Sequence, residues 1–221
     1  MKNAKMKIVS VVISILVAVL IITLSITLPI LFRPFYYGQI ESLGLCERTG
    51  LSFEQIKQAY DEMMDYCLGF RSDFSAGVLW YSEEGASHFF DVRVLFMIDF
   101  ALIFICATAL IVIAVILKKK KLSPYKFKGR SAPFWSVVSI GAVSSIIGVA
   151  CAINFKKTFI FVHKIFFVGK TNWTFDPYTD PIIRLLPNQF FSNCAILIFS
   201  CMLLCCVGIL VYEFVPRRKR S

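Results

Sequence analysis

The chain contains two histidines, and both sit where an apolar run meets a polar one. His88 lies in SEEGASHFFDVRVLF, at the entry to a long apolar segment, and His163 lies in FVHKIFFVGKTNW, at the exit from another. Imidazole both takes and gives a proton near neutral pH. A pair of them at one lipid–water boundary is therefore a candidate general acid–base couple. Acids accompany the pair. At ~100° and ~1.5 Å per residue, Asp99 follows His88 by about three helical turns, on the same face and some 16 Å deeper. Asp91 is one turn from His88, near that face, and is the carboxylate that can orient the ring. An ionisable group within a span is costly and by default faces other helices or a wet cavity. The structural alternative stands beside each reading: an interfacial histidine bonded to backbone, and a neutral or hydrogen-bonded structural Asp99.

Other chemistries lack their residues. There is no G-x-S-x-G elbow, no H-E-x-x-H, no P-loop and no zinc-finger spacing. A metal held by His88 and His163 with Asp91, Asp176 or Asp180 suits zinc chemically, but no spacing singles it out. The reading therefore includes no cofactor.

These side chains must be positioned by membrane helices. The 221 residues are 57% hydrophobic, with mean hydropathy +0.72 and charge confined to clusters. That composition is well above the ~45–50% apolar of soluble domains. Four apolar runs, the second broken only by Asp99, reach the ~20 residues a spanning helix needs: about 8–32, 94–117, 134–155 and 193–212. The expected fold is an all-α membrane protein, one domain of four transmembrane helices with two outer loops carrying short amphipathic helices. The first run is too long for a signal h-region and ends in no A-x-A site, so it reads as a permanent helix.

Charge sets the expected orientation. The N-terminal lysines, the connector 118–130 (KKKKLSPYKFKGR) and the RRKRS end hold fourteen basic residues against Glu213 alone; the other loops hold ten basic and twelve acidic residues. Positive charge marks the cytoplasmic side. Both termini and the connector should thus be cytoplasmic, with outer loops at about 33–93 and 156–192. The pI of 9.3 belongs to this topology, and no nucleic-acid partner is expected.

In the first outer loop, LSFEQIKQAYDEMMDYCLG carries a capping box at Ser52 and Gln55 and apolar positions at helical spacing. Its apolar face can pack on protein or lie on lipid. In the second, Phe159, Phe161, Phe166 and Phe167 surround His163, with Lys157 and Lys164 on one stripe, the composition of an interfacial segment. Asp180 is placed to cap a short helix opened by Pro181. Trp173, Asp176, Tyr178 and Asp180 can shape the mouth of a site, although turn chemistry explains Asp176 and Asp180 equally well. Gly141 and Gly148 can make room for acyl chains or bring helices close. Cys46 and Cys67 share the outer side, and pairing between them stays open.

SHFFDVRVLF and FVHKIFFVGKTNWTFDPYTDPIIRLLPNQFF resemble the pattern of a Gram-positive membrane family, the lipoprotein intramolecular transacylases. The four spans, the amphipathic loop helix and the basic connector resemble it along nearly the whole chain. The resemblance implies a plasma-membrane acyltransferase whose partners are diacylglyceryl-modified lipoproteins and membrane lipid. It implies transfer of the sn-2 acyl chain from glycerol oxygen to the α-amine of the lipidated cysteine, giving a lyso-lipoprotein. It also implies catalysis by two histidines, which here are His88 and His163. Competing classes are a four-span structural or sensory protein, a small transporter, and a His/Asp metal-dependent membrane hydrolase.

Overall fold

The computed structural model describes residues 2–215; the RRKRS end, counted above with the cytoplasmic side, lies outside them. Among these residues are seven α-helices: α1 Lys2–Leu31, α2 Pro34–Ile40, α3 Leu45–Thr49, α4 Phe53–Cys67, α5 Glu83–Lys119, α6 Ala132–Phe166 and α7 Asn188–Phe214, with a 3₁₀ turn at Pro181–Arg184. Helices α1, α5, α6 and α7 are long and apolar enough to cross a membrane. The architecture is the expected all-α one, with short helices between spans.

Two spans extend well beyond their apolar runs. Helix α5 has 37 residues, about 55 Å of helix against ~30 Å of hydrocarbon. Its apolar run at 94–117 fills that thickness, so the turns from Glu83 to Arg93 extend past it. The helix begins at Glu83, eleven residues before the expected span. Ser82 Oγ accepts from Gly85 N at 2.9 Å, and Glu83 and Glu84 occupy the first turn, where the helix dipole favours acids.

Helix α6 is two segments. Asn154 has extended backbone angles (φ −158°, ψ 93°), and its Oδ1 accepts from Lys157 N at 2.9 Å. Asn154 thus ends one helical segment and caps the next. Residues 156–166, expected as the start of the second outer loop, are consequently helical.

The chain divides into two compact units. The first, within residues 2–26, 100–148 and 198–215, has a small core of Ile21, Val137, Ile140, Met202 and Cys206. Serine hydroxyls tie α1 to α6 and to the connector: Ser136 Oγ donates to Ser14 O at 2.8 Å and Ser10 Oγ to Tyr125 O at 2.9 Å. Ser131 donates through N and Oγ to Glu213, at 3.2 and 2.7 Å. A Cβ at Gly141 or Gly148 would meet nothing within 4 Å, so neither glycine marks a close helix contact.

The second unit, within residues 27–99 and 149–197, has a core dense in aromatic rings. Tyr36 stacks on Tyr60 at 3.7 Å, Phe190 meets both edge-on, and Tyr36 Oη donates to Leu185 O at 2.9 Å. The capping box of α4 forms. Its apolar face, including Ile56, Tyr60, Met63 and Cys67, is buried, so it packs on protein. Arg33 bridges Asp61 and Asp65 at 3.1 and 2.5 Å. Cys46 and Cys67 are free thiols; Cys67 donates to Phe89 O, and burial pushes its thiol up to about 12.

Candidate active site

The extension of α5 and the second segment of α6 bring the two histidines together. Their ring centroids lie 6.2 Å apart at an interplanar angle of 28°. His88 is 5% exposed and His163 is half-buried. Phe167 touches both, at 4.9 and 5.5 Å; Phe175 packs on His88 at 5.3 Å. Phe159 and Trp173 pack on His163 at 4.0 and 5.4 Å. Phe159, His163 and Phe167 recur every four residues and so share a helix face. Phe161 and Phe166 fall off that face and are 63% and 60% exposed.

His163 Nδ1 lies 2.9 Å from Phe159 O. A carbonyl only accepts, so the contact needs the proton on Nδ1 and leaves Nε2 free for chemistry. Burial holds the His163 ring below the usual histidine range, against this hydrogen bond, which favours the charged form. Burial brings His88 down further, to about 4, helped by His163 and Lys170 and opposed by Asp91. His88 is therefore neutral near pH 7. Its Nδ1 is buried with no hydrogen-bond partner.

Asp91 does not bond His88. Its carboxylate accepts from Lys170 Nζ at 2.5 Å and Asn172 Nδ2 at 3.0 Å. Both donors arrive on the turn after α6, so Asp91 ties the His163-bearing chain to the His88-bearing helix. Burial works against its charge, but these two bonds hold its carboxyl below the usual range. Asp99, 8% exposed, accepts from Thr27 Oγ1 at 2.6 Å.

Trp173 Nε1 donates to Lys170 O at 3.0 Å, fixing the turn beside His163. Asp176 accepts from Tyr178 N at 2.9 Å, and both residues are exposed; that is turn chemistry. Asp180 stands before the 3₁₀ turn but does not cap it. Its buried carboxylate instead accepts from Ser82 N and Ser82 Oγ, each at 2.8 Å, and from Thr179 Oγ1 at 3.0 Å. It thereby holds the N-terminus of α5, nearly two turns before His88. A Cβ at Gly85 would overlap this carboxylate, which explains the glycine.

Phe175, Lys170 and Asn172 belong to the site and were not read from sequence. They lie in an irregular loop, where no period marks a shared face. Among the described residues, no three His, Cys, Asp or Glu side chains gather as a metal-binding group.

The family model described as lipoprotein intramolecular transacylase Lit matches residues 11–191. The solved structure of membrane-integral Lit from Bacillus cereus is similar with TM-score 0.78 at 24% identity, over 95% of each chain. Two variants of that protein, with a histidine changed to arginine or to alanine, each give TM-score 0.77 at 23% identity. They cover 96% of this chain and 92% and 94% of their own. At that identity the structures show the fold. No curated protein gives a significant match. The family match extends over most of the sequence, and the chain belongs to the Lit family of lipoprotein intramolecular transacylases, membrane enzymes that carry out acyl transfer within a lipoprotein.

Proposed function

We propose that the chain moves the sn-2 acyl chain of an S-diacylglyceryl cysteine onto that cysteine's α-amine, leaving the lyso-form lipoprotein, with His88 and His163 as base and acid. The observation that carries this reading is the contact between these two imidazoles in one aromatic-walled site. The site faces outward in the charge-based topology, with both termini cytoplasmic and the two outer loops in one domain, at the bilayer face where lipoproteins are anchored.

The reaction exchanges an ester for an amide, so it needs no energy source. An α-ammonium has a pKa of ~8, and it must lose a proton before it attacks. His163, the less buried ring, accepts that proton more readily than His88. The neutral nitrogen then bonds to the ester carbonyl carbon. His88 takes the second nitrogen-bound proton during attack, the carbon–oxygen bond to glycerol breaks, and His163 returns its proton to the departing oxygen. One proton remains on His88 and leaves to water, which balances the ammonium that entered. Donor and acceptor belong to one molecule, so much of the catalysis is holding it in attack geometry. Asp91, Trp173 and Asp180 fix the two rings through the chain segments described above. Asp176 and Asp99 have no assigned chemical step.

The test is expression in a bacterium that makes diacylated lipoproteins, followed by mass spectrometry of a lipoprotein's N-terminal lipopeptide. An acyl chain shifted from glycerol to nitrogen, and absent for His88→Ala and His163→Ala, supports the reading. An unchanged lipopeptide with well-expressed protein refutes it.

A further inference from the structure

Asn172 is held in a single orientation. Its Nδ2 lies 3.0 Å from the Asp91 carboxylate and 3.4 Å from Ser87 Oγ. A carboxylate only accepts, so the amide nitrogen must face it. The side-chain oxygen therefore points away from Asp91, and an amide flip would break the bond. That oxygen, Oδ1, is buried and accepts from no group.

Buried polar atoms are normally paired, and each exception needs a cause. Among the described residues, two buried side-chain atoms lack a partner: Asn172 Oδ1 and His88 Nδ1. They are complementary, since a carbonyl oxygen accepts and an imidazole Nδ1 can carry a proton. They are also neighbours in the fold. Ser87 and Asp91, the two residues Asn172 binds, bracket His88 on α5, and Asp91 is kept ionised and fixed by Lys170. Hydrogen bonds of a catalytic site are often long before substrate binds and close in the complex.

We infer that Asn172 is the positioning residue of His88: its Oδ1 accepts the Nδ1 proton, selects that tautomer, and leaves Nε2 as the free lone pair. The catalytic consequence rests on the acyl-transfer reading above, because Nε2 is then the atom that takes the proton from the attacking nitrogen. The tautomer itself does not depend on that reading. The contrast with His163 is informative. There a backbone carbonyl, Phe159 O, does the same job. His88 Nδ1 makes no such backbone bond, and its partner in this inference comes from the adjoining loop.

The chain has two histidines, which makes the test direct. Selective ¹⁵N labelling of histidine gives four ring nitrogens, with the His163 ring as an internal control for folding. In the wild type at neutral pH, with a non-hydrolysable lipopeptide amide bound, His88 Nδ1 should appear as a protonated, pyrrole-type nitrogen and Nε2 as pyridine-type. In Asn172→Ala this assignment should reverse or average, while His163 stays Nδ1-protonated. Asn172→Leu, similar in shape and without polar atoms, should behave like Asn172→Ala and covers the case in which the smaller variant unfolds. A His88 tautomer unchanged in a folded variant overturns the inference, as does a wild-type His88 protonated on Nε2. Loss of tautomer selection in a chain that shifts no acyl group would leave the positioning role standing and remove the reaction.

Discussion

The two compact units solve different problems with different residues. The first has a core of five modest side chains and leaves Ile15, Phe104, Ile111, Ile146 and Leu204 exposed on its helices. Such surfaces are what hydrocarbon covers, because lipid tails are as apolar as the side chains they replace. The second unit buries stacked tyrosines, phenylalanines and carboxylates bonded to backbone and hydroxyl donors. It must hold two imidazoles in place in segments that extend beyond the apolar runs, where lipid gives no help. Stability of the first unit is shared with its solvent; geometry of the second is specified by its own side chains. Substitutions that matter for chemistry should therefore concentrate in the second.

The largest effects should come from the histidines. General acid–base groups each contribute about 10²–10⁴ in rate, so His88→Ala and His163→Ala should each lower acyl transfer by that order. Glutamine separates their roles. At position 163 its amide N–H can still steady the departing oxygen, so His163→Gln should keep more activity than His163→Ala. At position 88 it cannot take a proton, so His88→Gln should be as poor as His88→Ala. Single-turnover assays on a synthetic diacylglyceryl lipopeptide measure both ratios, and the opposite ranking reverses the assignment of base and acid.

Next in size is Gly85→Ala. The added methyl would overlap the Asp180 carboxylate, which binds Ser82 N and Oγ at the start of α5. Either the loop moves or the cap is lost, and cap loss with overpacking costs about 1–3 kcal/mol. Thermal melts in detergent should show that loss, with activity falling further because His88 is one turn away. A methyl added at Gly141 in the first unit meets nothing within 4 Å, and Gly141→Ala should leave both quantities unchanged.

The pH profile is the third test. The active complex carries one proton shared between the substrate amine and His163. Acid adds a second proton and blocks both; base removes the one needed by the leaving oxygen. kcat/KM should thus rise through the His163 titration, which burial holds below the ordinary ~6.5. It should fall through the amine titration near ~8. His163→Gln should lose the rising limb. A wild-type profile that keeps climbing above pH ~9 would remove His163 from the acid role.

The spans and the histidine pair were legible in the sequence; the division into two units was not. Four apolar runs, the capping box at Ser52 and Gln55, and the pair of histidines follow from periodicity, composition and counting, which are local properties. The site's remaining residues depend on tertiary placement. Asp91 lies near His88 by helical geometry, yet its partners Lys170 and Asn172 come from a loop 79 and 81 positions later. Asp180 carries the signature of a local cap, and a more distant helix start takes its carboxylate instead. Asn154 reads as an ordinary polar residue at the end of a span, while its side chain restarts the helix that carries His163. Charge patterns specify sidedness and spans, and they do not specify which loop donor meets which acid.

The smallest predicted effect compares two hydroxyls. Tyr36 Oη, in the second unit, donates to Leu185 O at 2.9 Å from within a packed aromatic cluster. Tyr36→Phe leaves that carbonyl without its side-chain donor and should cost about 1–3 kcal/mol. Ser136 Oγ, in the first unit, is equally buried and donates to Ser14 O at 2.8 Å and Ala132 O at 3.3 Å. Both acceptors lie within helices, where a backbone N–H four residues on already serves them, and alanine is the better helix former. Ser136→Ala should therefore shift the melting midpoint by the equivalent of under ~1 kcal/mol and leave acyl transfer intact. Equal losses for the two variants would mean that side-chain hydrogen bonds hold both units alike, and the division between a lipid-supported unit and a self-supported one would fail.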